Sequence, residues 1–264
     1  MVTTHIHVFG PLRIVEADVG LTTRGLDGRK PRQVLQLLAA HARPVSKDRL
    51  VDLLWPTQPP VDPRGAVEHY VAVLRRYLER RSAVGGAVVR TEAAGYALDL
   101  DLVSVDLVDF TRAVADLTTW VSLDRVRDAL QLSDAEPFAD EPDAAWACDV
   151  RTDVAARRCD LLVRAAELGL AYGDPVTAAR DAADAIATEP HLESAHRVLI
   201  AAHYVHGDQA RALTVYQSLR RRLVAELGVE PTPHTQSVHD AVLRHSRPAD
   251  ILRRLTVPPG LRSA

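Results

Sequence analysis

The chain is short of lysine and cysteine and has no long apolar run, and each shortage narrows what it does. Of 32 basic residues only Lys30 and Lys47 are lysines, a bias that fits a GC-rich genome better than any one function. No apolar stretch approaches the roughly 18 residues that suggest a membrane span. The N-terminus lacks a basic-then-apolar signal, so the expected address is the cytoplasm. The two cysteines, Cys148 and Cys159, fall on what reads as one helix about 16 Å apart. That exceeds disulfide reach, and two buried, reduced thiols are expected. There is no Gly-x-x-x-x-Gly-Lys, no Gly-x-Gly-x-x-Gly after a strand, no His-Glu-x-x-His and no Cys-x-x-Cys. No cofactor, no metal and no enzymatic activity are therefore expected. Among 11 histidines, His196, His203 and His206 come nearest to ligand spacing. Packing inside a helical array accounts for them.

What is present is enough apolar material for real cores, 47% of 264 residues, and an uneven charge. The net value of −3 hides +4 over residues 1–100 (14 basic, 10 acidic) and −7 over residues 101–264 (18 basic, 25 acidic). A basic front half suits contact with nucleic acid, although solvated surface charge gives the same count.

Within that front half the richest stretch is 62–98. Pro63 suits a first helical turn and Asp62 can cap it. Val67, Val71, Leu74 and Leu78 then recur on one stripe of a helix expected to reach about residue 81. The opposite face carries Gly65, His69, Ala72, Val73, Arg76 and Arg80, with Arg64 and Arg75 beside it. After Gly85-Gly86, residues 87–90 and 96–98 read as a β-hairpin around a 91–95 turn that includes Thr91 and Glu92.

Upstream, residues 5–9, 12–15 and 19–23 read as a small antiparallel sheet. A helix over about 30–41 opens with Arg29-Lys30-Pro31-Arg32, a basic first turn that opposes the helix dipole and suggests a waiting anion or simply solvated charge. Ser46 caps a short second helix ending at Trp55-Pro56. Three helices and a hairpin make a winged helix-turn-helix, whose third helix enters the major groove while the second meets phosphate through its N-terminus. Lys47, Arg64, His69, Tyr70, Ala72, Val73, Arg75, Arg76, Arg80, Arg90 and Thr91 are the candidate DNA-facing residues.

The run Lys30-Pro-Arg32, Val45-Ser46-Lys-Asp-Arg49-Leu50, Leu54-Trp55, Tyr70-Val71, Leu74-Arg75-Arg76 and Gly95-Tyr96-Ala-Leu98 resembles the response-regulator type winged helix of the Streptomyces antibiotic regulatory proteins. Downstream, Val105-Asp106-Leu107, Asp109-Phe110, Pro137-Phe138-Ala-Asp140 and Glu226-Leu-Gly228-Val-Glu230-Pro231 are similar to their bacterial transcriptional activator domain. The resemblance implies an activator on double-stranded promoter DNA, acting as a homodimer. It also implies recruitment of RNA polymerase holoenzyme through the loop after the second helix, here Trp55, Pro56, Thr57 and Gln58, and through the second domain. With only about 30 residues after Pro231, the chain reads as the family's short form. Two departures stand out. Ala72 and Val73 occupy places where the family usually has Ser-Arg, removing a guanidinium from the groove face, and Glu92 puts a carboxylate in the wing.

The second half reads as helical and repetitive. Gly173-Asp174 and Gly207-Asp208 lie 34 residues apart, as do Ala178 and Ala212, the tetratricopeptide period, with helix pairs expected over about 161–188 and 192–227. Helices are also expected over 106–121, 122–132 and 144–172, with Trp120 and Trp146 lining or filling the stack. The fold expected is mainly α with a small β component. A winged helix-turn-helix spans 1–100, an all-α tetratricopeptide-like domain spans 101–247, and a C-terminal tail spans 248–264. The function expected is sequence-specific transcriptional regulation. The alternative is a tetratricopeptide-type protein-binding adaptor with a weakened winged helix.

Overall fold

The structure is a computed structural model that describes residues 4–16, 20–21, 26, 28–79, 87–116 and 122–255. The expectations for Arg80, for residue 81 as the end of the third helix and for Trp120 lie outside these residues. In chain order the elements are β1 (Thr4–His7), β2 (Arg13–Glu16), β3 (Gly20–Leu21), α1 (Arg29–His41), α2 (Lys47–Leu54), α3 (Pro63–Glu79), β4 (Val89–Glu92), β5 (Gly95–Leu98) and β6 (Val103–Val105). They continue as α4 (Asp106–Asp116), α5 (Leu123–Leu132), α6 (Ala145–Ala171), α7 (Pro175–Thr188), α8 (Glu193–Val205), α9 (Gln209–Leu227), α10 (Pro233–Leu243) and α11 (Pro248–Leu255). Contacts divide the chain into two compact units, 1–116 with 131–153 and 117–130 with 154–264.

In the first unit the sheet runs β3-β2-β1-β6, antiparallel except that β6 joins β1 in parallel, Ile6 opposite Val105. The small sheet expected upstream is therefore not purely antiparallel. A parallel partner needs a long crossover, and here the crossover is the whole helix-and-wing segment. Asp106, buried at the start of α4, locks this junction. Its carboxylate accepts from the backbone N–H of Val8 at 2.9 and 3.0 Å, of Phe9 at 3.2 Å and of Leu107 at 2.8 Å. Burial pushes its pKa up even though these donors and His7, 3.4 Å away, favour the charge.

The core beneath the helices is aliphatic. Val34, Leu35, Leu37 and Leu38 of α1, Leu50 of α2, and Val67, Val71, Leu74 and Leu78 of α3 are all essentially inaccessible. This is the stripe that the 3.6-residue period selects. Phe110 and Phe138, also fully buried, extend it, with Phe138 edge-on to Trp146 at 5.0 Å.

The anion suggested for the start of α1 is a carboxylate of the chain itself. Glu141, buried, receives Arg29 Nη2 at 2.8 Å, Arg29 Nε at 3.2 Å and Gln33 Nε2 at 2.7 Å, while Gln36 Nε2 donates to Asp140 at 2.7 Å. Pairing with Glu141 holds the Arg29 guanidinium above its ordinary pKa.

In the second unit both Gly-Asp pairs do the same work. Gly173 and Gly207 take φ of +81° and +93° as the preceding helix ends, and Asp174 and Asp208 cap α7 and α9 by accepting from Thr177 and Arg211 N–H at 3.0 Å. A third helix pair follows. Within the stretch read as a tail, α11 buries Ile251 and Leu255. The Glu-Leu-Gly-Val-Glu-Pro run closes α9. Glu226 meets His191 Nε2 at 2.7 Å, Gly228 takes the left-handed C-terminal position at φ +70°, and Glu230 accepts the Arg220 fork at 2.6 and 2.8 Å. Of the thiols, Cys159 is buried but Cys148 is exposed, contrary to the expectation of two buried ones.

Candidate nucleic-acid interface

Two local devices aim α3. Asp62 accepts from Gly65 N–H at 2.9 Å as the N-cap with Pro63 following, and a Cβ at Gly65 would lie 2.1 Å from Asp62 Oδ2. Ser46 Oγ accepts from Arg49 N–H at 3.1 Å and starts α2. The wing is then tied directly to the start of α2, because Val45 and Tyr96 exchange backbone hydrogen bonds of 2.8 and 2.9 Å. Gly95 makes that approach possible, since its φ is +140° and an added Cβ would fall 2.0 Å from the Val45 carbonyl oxygen. The hairpin turns on two residues, Ala93 and Ala94, with Glu92 opposite Gly95. Thr91 and Glu92 therefore belong to β4, not to the turn expected over 91–95. A strand pair closed by two residues keeps its register to the tip.

With the core stripe buried, α3 leaves Arg64, His69, Ala72 and Arg76 exposed and Tyr70, Val73 and Arg75 half-buried. Arg90 and Thr91 are exposed on β4, and Lys47 sits half-buried at the first turn of α2. Most of these cations already hold an acid of the same chain. Lys47 pairs with Glu68, and Arg64 forks onto Asp48 at 2.7 and 2.8 Å. Arg90 lies between Glu92 at 3.3 Å and Asp99 at 3.6 Å. The pairing raises the pKa of Lys47 and Arg64 and lowers that of Asp48. Arg75 turns to the wing, donating from Nε to the Val89 carbonyl at 2.8 Å and from Nη2 to Thr91 Oγ1 at 2.6 Å. Among the described residues, Arg64 is the α3 arginine held by a carboxylate, while Arg75 is turned to the wing and Arg76 has no acid partner.

The connection after α2 is an open surface. Trp55 is half-buried against Tyr70, ring centroids 6.2 Å apart, with the Lys30 ammonium 5.2 Å from its ring. Lys30 also donates to the Leu54 carbonyl at 2.6 Å, and burial lowers its pKa. Pro56, Thr57 and Gln58 are exposed, and Val61 is fully so.

Residues 105–243 match the bacterial transcriptional activator domain family. The regulatory protein DnrI of Streptomyces peucetius is 30% identical over 260 residues, covering 90% of this chain and 92% of DnrI. The chain belongs to the Streptomyces antibiotic regulatory protein family. The regulatory protein AfsR of Streptomyces coelicolor is 33% identical over 244 residues, which cover 90% of this chain and 24% of AfsR. The chain thus spans about a quarter of the AfsR proteins that it matches. A solved structure of Mycobacterium tuberculosis EmbR in complex with a low affinity phosphopeptide superposes with a TM-score of 0.78 at 21% identity, over 96% of this chain and 69% of that one. That likeness speaks for the fold.

As a member of this family the chain is mainly helical, with a winged helix ahead of a helical activator domain, and its relatives AfsR and DnrI are named regulatory proteins. Among the described residues no helix is long and apolar enough to cross a membrane, and no cluster of three His, Cys, Asp or Glu could hold a metal ion. Three residues at this candidate interface were not among the expected DNA-facing ones, Asp48 and Tyr96 having entered only as motif residues and Glu68 not at all. Asp48 and Glu68 neutralise its cations, and Tyr96 lies under both Lys47 at 5.8 Å and Arg75 at 5.9 Å. The acids had a readable signal, because 48 sits in a helix's first turn next to Lys47 and 68 lies next to His69. The role of Tyr96 had none, because it depends on how the hairpin packs.

Proposed function

We propose that this regulator seats α3 in the major groove of double-stranded promoter DNA and uses the wing and the start of α2 on the flanking phosphates. In this reading Arg76 and His69 reach base edges beside Ala72 and Val73, and Lys47, Arg64 and Arg90 reach phosphates. Trp55, Pro56, Thr57 and Gln58 then present a docking edge to RNA polymerase holoenzyme. The chain works in the cytoplasm as a homodimer on paired sites, the activator domain supplying the dimer contact. It performs no catalysis. The observation that carries the reading is the exposed face of α3, with its core stripe fully buried and a wing anchored beside it.

Fluorescence anisotropy on the DNA upstream of its own gene tests this. Arg76→Ala is expected to weaken binding by roughly tenfold, the order of one good base contact. Unchanged affinity would take α3 out of the groove. The extensive pairing of Lys47, Arg64 and Arg90 with acids favours a second reading, a protein-binding adaptor that holds DNA weakly. Absence of any shift with wild-type protein at low salt would favour that one.

A further inference from the structure

We propose that Arg75 is a positioning residue for DNA binding, which sets the wing at a fixed place beside α3 and does not itself touch phosphate. The inference rests on the DNA-binding reading above and concerns how its two contact elements are held together. The Arg75 guanidinium leaves the half-buried flank of α3 and donates to β4 twice, at 2.8 Å to the Val89 carbonyl and at 2.6 Å to Thr91 Oγ1. Its cation also lies 5.9 Å from the Tyr96 ring on β5. Both strands of the hairpin are thus held by one side chain of the helix.

The same ring receives Lys47 from α2 at 5.8 Å, and the Tyr96 backbone pairs with Val45 just ahead of α2. Tyr96 is buried at this junction. A planar fork with several fixed donors suits such a double contact, whereas a lysine offers one point charge. The Val89 carbonyl that Arg75 satisfies faces away from β5, so without the guanidinium this edge of the wing has one acceptor fewer paired. Arg90, between Val89 and Thr91, is the cation whose position this clamp fixes, and it belongs to the exposed strand face.

A double-mutant cycle on full-length protein decides the matter, with anisotropy on a bound promoter fragment as the readout. Arg75→Gln is expected to weaken binding roughly tenfold in the wild-type background and less than twofold in the Arg90→Ala background, because the wing contact it positions is already gone. Equal losses in both backgrounds would overturn the proposal and make Arg75 an independent contact. Arg75→Lys guards against misfolding. It keeps the charge and the stem, so a phosphate contact would survive it, and recovery of wild-type affinity would also overturn the proposal, while a loss close to that of Arg75→Gln supports it. If wild-type protein binds no DNA at all, the DNA-binding reading falls first, and that result is distinct from additivity in a protein that binds.

Discussion

At the scale of single residues, this molecule spends its arginines on its own acids. The basic first turn of α1 was legible as three cations that run against the helix dipole, which fitted a waiting anion and solvated charge alike. Which anion comes was not legible, because Glu141 lies 112 positions from Arg29 in the chain and nothing local marks it as a partner. The expected consequence concerns stability. Glu141→Gln keeps the shape but removes the charge that the two-armed fork of Arg29 and the Gln33 amide are arranged around. A buried hydrogen-bonded carboxylate is worth about 1–3 kcal/mol, and the Arg29 side is well exposed, so screening trims the loss to about 1–2 kcal/mol. Urea unfolding of the variant should show a lower midpoint with an unchanged slope. An unchanged midpoint would mean that the ion pair contributes nothing net.

At the scale of elements, periodicity located the helices and the 34-residue spacing located the repeats, because both signals are local. The Gly-Asp pairs carried the reading for a physical reason: one residue must take positive φ and the next must cap. What escaped was pairing at a distance, such as β6 joining β1, and side chains that matter only once helices stack. His196 on α8 is one of these. It is buried, its Nε2 lies 3.0 Å from the Pro190 carbonyl, and its Nδ1 has no hydrogen-bond partner among the described residues. Burial holds its pKa below the ordinary 6.5, with the Pro190 carbonyl opposing and Arg222 assisting the shift. For a base depressed in the folded state, the unfolded chain takes up the proton first as pH falls. Stability is therefore level above pH 6.5 and declines below it, by up to about 1.4 kcal/mol per pH unit for one group. His203 and His239, also lowered by burial, act in the same direction. Denaturation series between pH 7.5 and 5 should show a steeper decline for wild type than for His196→Gln. Parallel curves would take His196 out of the account.

At the scale of the whole molecule, a winged helix followed by a helical activator domain was legible, but a cut near residue 100 does not follow the packing. The compact unit that holds α1 to α3 and the wing also includes β6, α4 and residues 131–153. β6 supplies the parallel partner of β1, Asp106 satisfies the N–H groups of Val8 and Phe9, Phe110 and Phe138 are fully buried, and Glu141 closes the start of α1. A fragment of residues 1–100 lacks all of these. It exposes one edge of the sheet, two backbone donors and the apolar surface that both phenylalanines cover, each fully buried aromatic being worth about 1.5–3 kcal/mol. Against a typical total of about 5–15 kcal/mol for a domain, that loss is enough to abolish folding. The expected outcome is that residues 1–100 show no cooperative thermal transition, while residues 1–153 melt cooperatively and bind a single site. The longer fragment then isolates what the second unit adds. If that unit supplies the dimer contact, residues 1–153 should occupy two adjacent half-sites independently and the full chain should occupy them together, since linking two weak contacts raises their effective concentration. Cooperative melting of residues 1–100 would show that the sheet and α1 hold without their downstream partners. Equal cooperativity on paired sites for both longer proteins would move the dimer contact into the winged-helix unit.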